Sequence, residues 1–222
     1  MTIPFYVPPE QQVRDKAEFA RKGIARGRSI IALDYVDGVL LLAENPSKAL
    51  HKISEVYDRI AFAGVGKYNE FETLRKAGIR QADLMGYLYS REDVTAMGLA
   101  TAFAQTLGVI FTREPKPFEV EVLIVEISED GDEHRLFRIT YDGTLYDERN
   151  FVAIGGKAEQ LVEALKELWE DDMPLERALE VGAEAFRRAE GREMEGWEAG
   201  VLDYSNGRRA FRRLKPEELP AN

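Results

Sequence analysis

The chain has 222 residues, of which 45% are hydrophobic and 32% charged, and its 30 Lys and Arg against 40 Asp and Glu give a net charge of −10. This length and composition are typical of one globular domain with a sizeable core. The negative charge argues against nucleic acid as the main partner, because phosphate binding needs a basic surface. The chain has no cysteine and only two histidines, His51 and His134. We therefore expect no metal site and no cofactor.

The sequence shows no sign of a membrane or secretory segment. Its start, MTIPFYVPPEQQ, lacks a charged stretch followed by a long apolar one. No apolar run approaches the roughly 20 residues that a membrane-spanning helix needs. We therefore expect a cytoplasmic protein without membrane contact.

The first predicted element is a helix in EQQVRDKAEFARKGIARGR, which follows Pro8 and Pro9. Its apolar stripe is narrow, so the helix either lies across a surface of the chain or contacts a neighbouring subunit. We predict two parts of the chain, a flexible tail at 1–8 and a single domain at 9–222. The predicted stripe consists of Val13, Ala17, Ala20 and Ile24.

Strands and a helix pair are predicted next. SIIALDYVDGVLLLAEN reads as two strands around Asp37 and Gly38, a pair typical of a type I′ turn, and RIAFAGVG reads as a third strand. Apolar residues then recur at helical spacing in two segments. The first has Phe71, Leu74, Gly78, Ala82 and Met85, and the second has Leu99, Phe103, Thr106, Leu107 and Ile110.

The second half of the chain repeats this order. FEVEVLIVEI, HRLFRITY, TLYD and FVAIGG are predicted to form a second sheet, and WEAGVLDY and RRAFRRL supply the last strands. Strands, two helices, strands, two helices and strands indicate an α+β fold, a four-layer αββα sandwich. The helices between them present Leu161, Ala164, Leu165 and Leu168, and then, after Pro174, Leu175, Leu179, Gly182, Ala183 and Phe186.

Several segments together resemble the α subunit of the 20S proteasome, most closely the actinobacterial type. They are ARKGIARGRSIIALDYVDGVLLLAENPS, LHKISEVYDRIAFAGVGKYNEFETLRKAGIRQAD, FRITYDGTLYD with FVAIGG, and GRRAFRRL. The Tyr-Asp-Arg motif and Phe-Ser-Pro run of archaeal and eukaryotic α subunits are absent. The resemblance implies the N-terminal-nucleophile hydrolase-like fold with an extra N-terminal helix.

The same resemblance implies a function in protein degradation. Proteasome α subunits form heptameric outer rings that gate substrate entry and stack on β subunits. They also dock a ring-shaped ATPase or another activator through its C-terminal tails. We therefore expect these partners and a cytoplasmic location for this chain.

The resemblance also implies that the chain carries no catalytic residue. In the active β subunits of the family, a processed N-terminal threonine begins the first strand, and its own amine is the base. Here that strand starts near Arg28 and Ser29, after a helix and a tail, while Glu44 and Lys52 match the acid and lysine that assist the threonine. Thr2 would gain a free amine if Met1 were removed, but it precedes the first strand by a whole helix.

Two alternatives stay open from the residues alone. One is an active N-terminal-nucleophile hydrolase of the same fold, using Thr2 or a processed Ser29. The other is a self-assembling ring scaffold without a protease partner.

The resemblance assigns two sets of binding residues. Lys52, Gly66 and Glu18 match the pocket that receives an activator's C-terminal carboxylate, a group that suits a compact ammonium. Without the resemblance they would be read as a solvated lysine, a close turn and a solvated helix face. The tail is predicted to form the gate, with residues Thr2, Ile3, Pro4, Phe5, Tyr6, Val7 and Pro8.

Overall fold

The structure is a computed structural model that describes residues 8–47, 49–128 and 134–220. In chain order, the helices and strands are α1 (Pro9–Ala25), β1 (Ile30–Tyr35), β2 (Gly38–Glu44), β3 (Ile53–Tyr57), β4 (Ile60–Gly66), α2 (Tyr68–Leu88), α3 (Ala96–Arg113), β5 (Val120–Ile127), β6 (His134–Ile139), β7 (Leu145–Glu148), β8 (Phe151–Ile154), α4 (Ala158–Leu168), α5 (Leu175–Glu190), β9 (Trp197–Asp203) and β10 (Phe211–Arg213). Short 3₁₀ segments lie at Arg91–Asp93, Tyr204–Asn206 and Pro216–Glu218.

The strands form two five-stranded antiparallel sheets, with the orders β10-β9-β2-β1-β8 and β3-β4-β5-β6-β7. Successive side chains of a strand point to opposite faces. In β1, Ile30 and Ala32 therefore join the core between the sheets, while Ile31 and Leu33 pack in the core that α4 and α5 cover. Burial on both faces explains why this strand reads as a continuous apolar run.

The second sheet follows the same rule. Ala61 and Ala63 of β4 face the first sheet, and Phe62 between them packs under α2 and α3. The Phe62 ring meets the Phe103 ring edge-on at 5.9 Å, a favourable aromatic geometry. Helix pairs thus cover the outer faces of both sheets, and the predicted αββα sandwich is confirmed.

The predicted helices are confirmed, with two differences on their buried faces. Met85 of α2 is 36% exposed, and Thr106 of α3 is also exposed. Both lie at the margin of the apolar stripe, where a helix that covers a sheet turns towards solvent.

Two assignments of strands were wrong. The prediction omitted β3, which pairs with β4 through Ile53 and Ala63. It also placed β8 in the second sheet, although β8 pairs with β1. The prediction gave no partner for β4, which pairs with β5 as well as β3. The chain crosses between the sheets at these points, and strand periodicity carries no information about which sheet a strand joins.

The predicted hairpin of β1 and β2 is correct, but its type I′ turn is not. Tyr35 pairs with Gly38, so Val36 and Asp37 form the loop. A type I′ turn needs a positive φ at both central residues. Outside glycine, the described residues with positive φ are Asn150 and Asp172.

Helix α1 has buried apolar side chains near its C-terminal end and exposed ones elsewhere on its surface. Ala20 is fully buried and Ile24 nearly so, and both belong to the core between the sheets. Val13 and Phe19 are 53% and 47% exposed. The face that carries Ala20 and Ile24 therefore packs on the chain itself, which decides between the two alternatives for these two residues. Val13 and Phe19 instead present apolar side chains outward.

Candidate functional site

The candidate site lies at one end of the sandwich, where several strands begin or end. Because β1 and β2 are antiparallel, with Ile30 opposite Ala43, the residues before β1 lie beside the end of β2. The start of β9 lies there too, since Glu44 pairs with Trp197. Lys52, just before β3, approaches from the other sheet.

Glu44 is a buried carboxylate that arginines neutralise. Its side chain is 1% exposed and accepts hydrogen bonds from Arg28 and, at 2.8 Å for each oxygen, from the two Nη atoms of Arg192. The backbone N–H of Glu195 donates to it at 3.1 Å. Burial opposes ionisation, but these hydrogen bonds and the Arg28 charge lower the pKa of Glu44 below its usual range. Glu44 therefore stays ionised, with both oxygens engaged.

Lys52 has no such partner. Its Nζ donates to the backbone oxygens of Arg28 at 2.8 Å and Glu44 at 3.3 Å. Burial, with a smaller contribution from the Arg28 charge, lowers the pKa of this ammonium to about 8. The negative charges of Glu198 and Glu44 act in the other direction and raise the pKa, but by less. It makes no ion pair with any carboxylate in the described part of the chain. The site thus holds a partly buried cation whose hydrogen bonds go to carbonyl oxygens, while the Glu198 and Glu44 charges favour it without direct contact.

Glu198 fixes the backbone around Lys52. Its carboxylate accepts from the backbone N–H of Lys52 at 3.0 Å, from that of Ile53 at 3.2 Å, and from Asn45 at 2.7 Å, and it pairs with Arg213. Glu198 belongs to β9 of the first sheet and Ile53 to β3 of the second. This one side chain therefore joins the two sheets beside Lys52.

Gly66 occupies a position that only glycine fits. Its φ is +108°, and an added Cβ would lie 1.9 Å from the backbone oxygen of Glu119. It also approaches the segment before β1, since a Cβ on Gly27 would lie 3.0 Å from the Gly66 nitrogen. Lys52 thus contacts Arg28, and Gly66 approaches Gly27, the residue before it. Any role of Gly66 in docking stays a prediction.

Glu18 lies apart from this cluster. It pairs with Lys22 of the same helix at 2.6 Å, and 64% of its side chain is exposed. The Lys22 hydrogen bond and charge lower the pKa of Glu18. In the described chain Glu18 makes no hydrogen bond or ion pair with Lys52 or Gly66, so its docking role also stays a prediction.

Ser29 is the alternative nucleophile that the structure describes. Ser29 is 2% exposed, and its Oγ accepts a hydrogen bond from the backbone N–H of Lys157 at 3.1 Å. The gate residues Thr2 to Val7 lie outside the described residues, as does Thr2 in its role as a possible nucleophile, and Pro8 is the N-cap of α1.

Sequence reasoning missed several members of the site. Arg28 was considered only as the start of a strand, and Arg192, Glu195, Glu198 and Arg213 were not singled out. Arg192 and Glu44 are 148 positions apart in sequence. Since only strand pairing brings such residues together, no local motif could have found them.

The described residues also limit what else the site can be. No group of three or more potential metal ligands occurs among them. None of the described helices is long and apolar enough to cross a membrane.

The αββα sandwich, with Lys52 and Glu44 at one end of it, defines a class of protein that comparison with known proteins identifies. The family model described as "Proteasome subunit" matches residues 24–202, and the chain belongs to this family. It is 56% identical over 227 residues to a protein of Thermomonospora curvata named "Proteasome subunit alpha", covering 100% of this chain and 99% of that protein. Proteins of the same name from Xylanimonas cellulosilytica and Acidothermus cellulolyticus are each 54% identical, covering 96% and 99% of this chain and 93% and 97% of theirs. The resemblance to proteasome α subunits is confirmed.

Proposed function

We propose that the chain is a non-catalytic α subunit of a 20S proteasome, which forms heptameric outer rings on β subunits and docks an activator in the cytoplasm. Membership of the family and full-length similarity to α subunits support the first part. The observation that carries the docking role is the partly buried Lys52 ammonium, which has no carboxylate partner among the described residues.

The geometry around Arg28 supports the absence of catalysis. A nucleophile with its own terminal amine would have to begin β1, but Arg28 and Ser29 continue a chain from α1. Glu44, which matches the assisting acid, is already bound by two arginines. The purified chain should therefore leave a fluorogenic peptide intact, and mixing with β subunits should produce cleavage. Hydrolysis by the chain alone would favour the active-hydrolase alternative, and rings that never bind β subunits would favour the scaffold.

The docking role follows from the charge of Lys52. A carboxylate arriving beside it would supply the counter-ion that the fold withholds, and removing one partner of such a pair typically costs about 2–5 kcal/mol. Lys52→Ala should therefore weaken binding of an activator tail by about 30-fold or more, and several tails docking together would multiply the loss. Lys166→Ala, at an exposed lysine of α4, is the matched control. Unchanged affinity in Lys52→Ala would refute the docking role.

Ring assembly is best tested at the exposed apolar side chains of α1. Changing Ala20 or Ile24 to Asp would bury a charge in the chain's own core and unfold it. Val13→Asp and Phe19→Asp should instead give folded chains that assemble poorly, because both side chains are half exposed in the single chain. Normal ring size in native mass spectrometry would count against this role of α1.

The gate is proposed for the tail at 1–8. Several copies of a short, proline-interrupted segment pointing into one annulus could close it by mutual contact. Deleting residues 1–8 should raise peptide hydrolysis by the assembled particle with little change in its stability. Unchanged peptide turnover would remove the gate assignment.

A further inference from the structure

Arg28 connects the buried part of the site to solvent. Its backbone oxygen accepts the Lys52 hydrogen bond, and its guanidinium pairs on one side with buried Glu44. On the other side its Nη2 lies 2.6 Å from Oε2 of Glu195. The Arg28 side chain is 32% exposed and that of Glu195 is 61% exposed. The outer side of Arg28 therefore carries an exposed carboxylate.

The two glutamates that bind Arg28 differ in how firmly they are held. Glu44 is buried and also receives both Nη atoms of Arg192. Glu195 is anchored through its backbone N–H, while its carboxylate has only the Arg28 contact among the described residues. Glu195 also lines a cleft of about 830 Å³ with His51, so an incoming chain can approach it. An exposed ion pair of this kind is weak and exchanges readily.

Two cationic residues are neighbours here, because the Lys52 Nζ donates to the backbone oxygen of Arg28 at 2.8 Å. The Arg28 charge also contributes to lowering the pKa of Lys52. A single carboxylate could relieve both, since it accepts from an ammonium and from a guanidinium at once. The Glu195 carboxylate already satisfies the outer guanidinium nitrogen in the free chain.

We propose that Glu195 is a resident carboxylate that an activator's terminal carboxylate displaces, so that Arg28 and Lys52 hold the docked tail together. The inference rests on the proposed docking function and adds a second binding residue and an internal competitor. Glu195 thereby limits the affinity of the subunit for an activator tail. It keeps Arg28 ordered in the free subunit, and its displacement reduces the free energy released when a tail binds.

The size of the effect follows from the exposure of the pair. Exposed ion pairs contribute so little that removing the competitor should tighten binding by about two- to fivefold. Arg28→Lys should weaken binding, because an ammonium cannot present the planar fork of a guanidinium to a carboxylate.

The test uses the assembled particle and a fluorescein-labelled octapeptide of Gly, Ser and Leu with a free C-terminal carboxylate, beside its amidated form. Fluorescence anisotropy gives both affinities for wild type, Glu195→Gln and Glu193→Gln. The control Glu193 is exposed and makes the same change in net charge. We expect Glu195→Gln to bind the carboxylate peptide about two- to fivefold more tightly, with no change for the amidated peptide or in Glu193→Gln.

The outcomes separate the inference from the function on which it rests. Equal or weaker binding of the carboxylate peptide by Glu195→Gln, or equal tightening in Glu193→Gln, overturns the role of Glu195 while docking at Lys52 stands. A wild-type particle that does not distinguish the carboxylate peptide from the amidated one overturns both. Thermal unfolding of each variant verifies that the exposed substitution leaves the fold intact.

Discussion

Two lysines of this chain lie beside buried glutamates, yet their surroundings are opposite. Lys116, before β5, contacts Glu70 at 2.6 Å and Glu119 at 3.2 Å. Burial opposes its charge, but the hydrogen bonds that Lys116 donates to these two carboxylates raise its pKa. Among the described residues, the Lys52 Nζ donates only to carbonyl oxygens, and burial lowers the pKa of Lys52 to about 8.

The difference comes from where each region directs its carboxylates. Near Lys52, Glu44 is bound by two arginines, and Glu198 by backbone N–H groups and Arg213. Near Lys116, Glu70 and Glu119 remain available to the ammonium. The carboxylates near Lys52 are thus engaged by other donors, whereas those near Lys116 pair with the lysine itself. This difference is what the proposed docking role of Lys52 rests on.

The largest effect is expected from the carboxylate that positions Lys52. Glu198→Ala would leave the backbone N–H groups of Lys52 and Ile53 without their acceptor. It should lower the free energy of unfolding by about 3–5 kcal/mol, as when a buried pair is broken. Urea denaturation measures this loss.

The matched change in the other region should cost less. Glu70 accepts one backbone N–H, from Glu119, and a half-exposed lysine. Glu70→Ala should therefore lose about 1–3 kcal/mol. Glu198→Gln, which keeps an acceptor oxygen, is the control for Glu198→Ala. A larger loss in Glu70→Ala than in Glu198→Ala would break the contrast between the two regions.

The second effect is a dependence of docking on pH. The Lys52 ammonium is charged below its pKa of about 8 and loses its proton above it. Binding of the carboxylate peptide should therefore be steady from pH 6 to 7 and fall about tenfold by pH 9. Anisotropy titrations across this range measure it.

Lys52→Arg provides the control, because an arginine keeps its charge throughout this range. Affinity that is flat from pH 7 to 9 in the wild type would show that Lys52 is not the titrating group. In the free chain the same lowered pKa has the opposite sign for stability. The unfolded chain binds more protons between about pH 8 and 10.5, so stability should rise with pH in that window.

The smallest effect is on stability: replacing each of the two lysines by Met should change the free energy of unfolding in opposite directions. Lys52→Met removes a desolvated charge without a counter-ion and should raise the free energy of unfolding by about 1 kcal/mol at pH 7. Lys116→Met removes a half-exposed ion pair and should lower it by up to about 1 kcal/mol. Denaturant unfolding of both variants side by side compares them, and a loss of stability in Lys52→Met would contradict the contrast.

The sequence predicted the elements of this fold better than their pairing. The helices of the two covering pairs have long apolar stripes, such as Phe71, Leu74 and Ala82 in α2, and their burial followed from spacing alone. By contrast, β8 was predicted in the second sheet but pairs with β1 of the first, and β3 was not predicted. Period-two patterns identify faces of a strand, while the partner strand depends on where the chain crosses.

The candidate site divides in the same way. Lys52 and Gly66 became candidates because their segments resemble those of proteasome α subunits, and the structure places Lys52 beside Arg28 and Gly66 beside Gly27. Glu195 was not identified, because it is distinguished only by its contact with Arg28, which is 167 positions away in sequence. Nothing in its own neighbourhood distinguishes it from other acidic residues.

The sequence by itself determined the class of fold, the family and Lys52 as the candidate docking residue, because periodicity and motif are properties of neighbouring residues. The tertiary structure decided which carboxylates contact that lysine, which side chains of α1 are buried, and that Arg28 pairs with the exposed Glu195. These outcomes depend on strands distant in sequence meeting at one end of the sandwich. The sequence gives the type of each charged side chain, but the partners and the desolvation of that side chain are set only by folding.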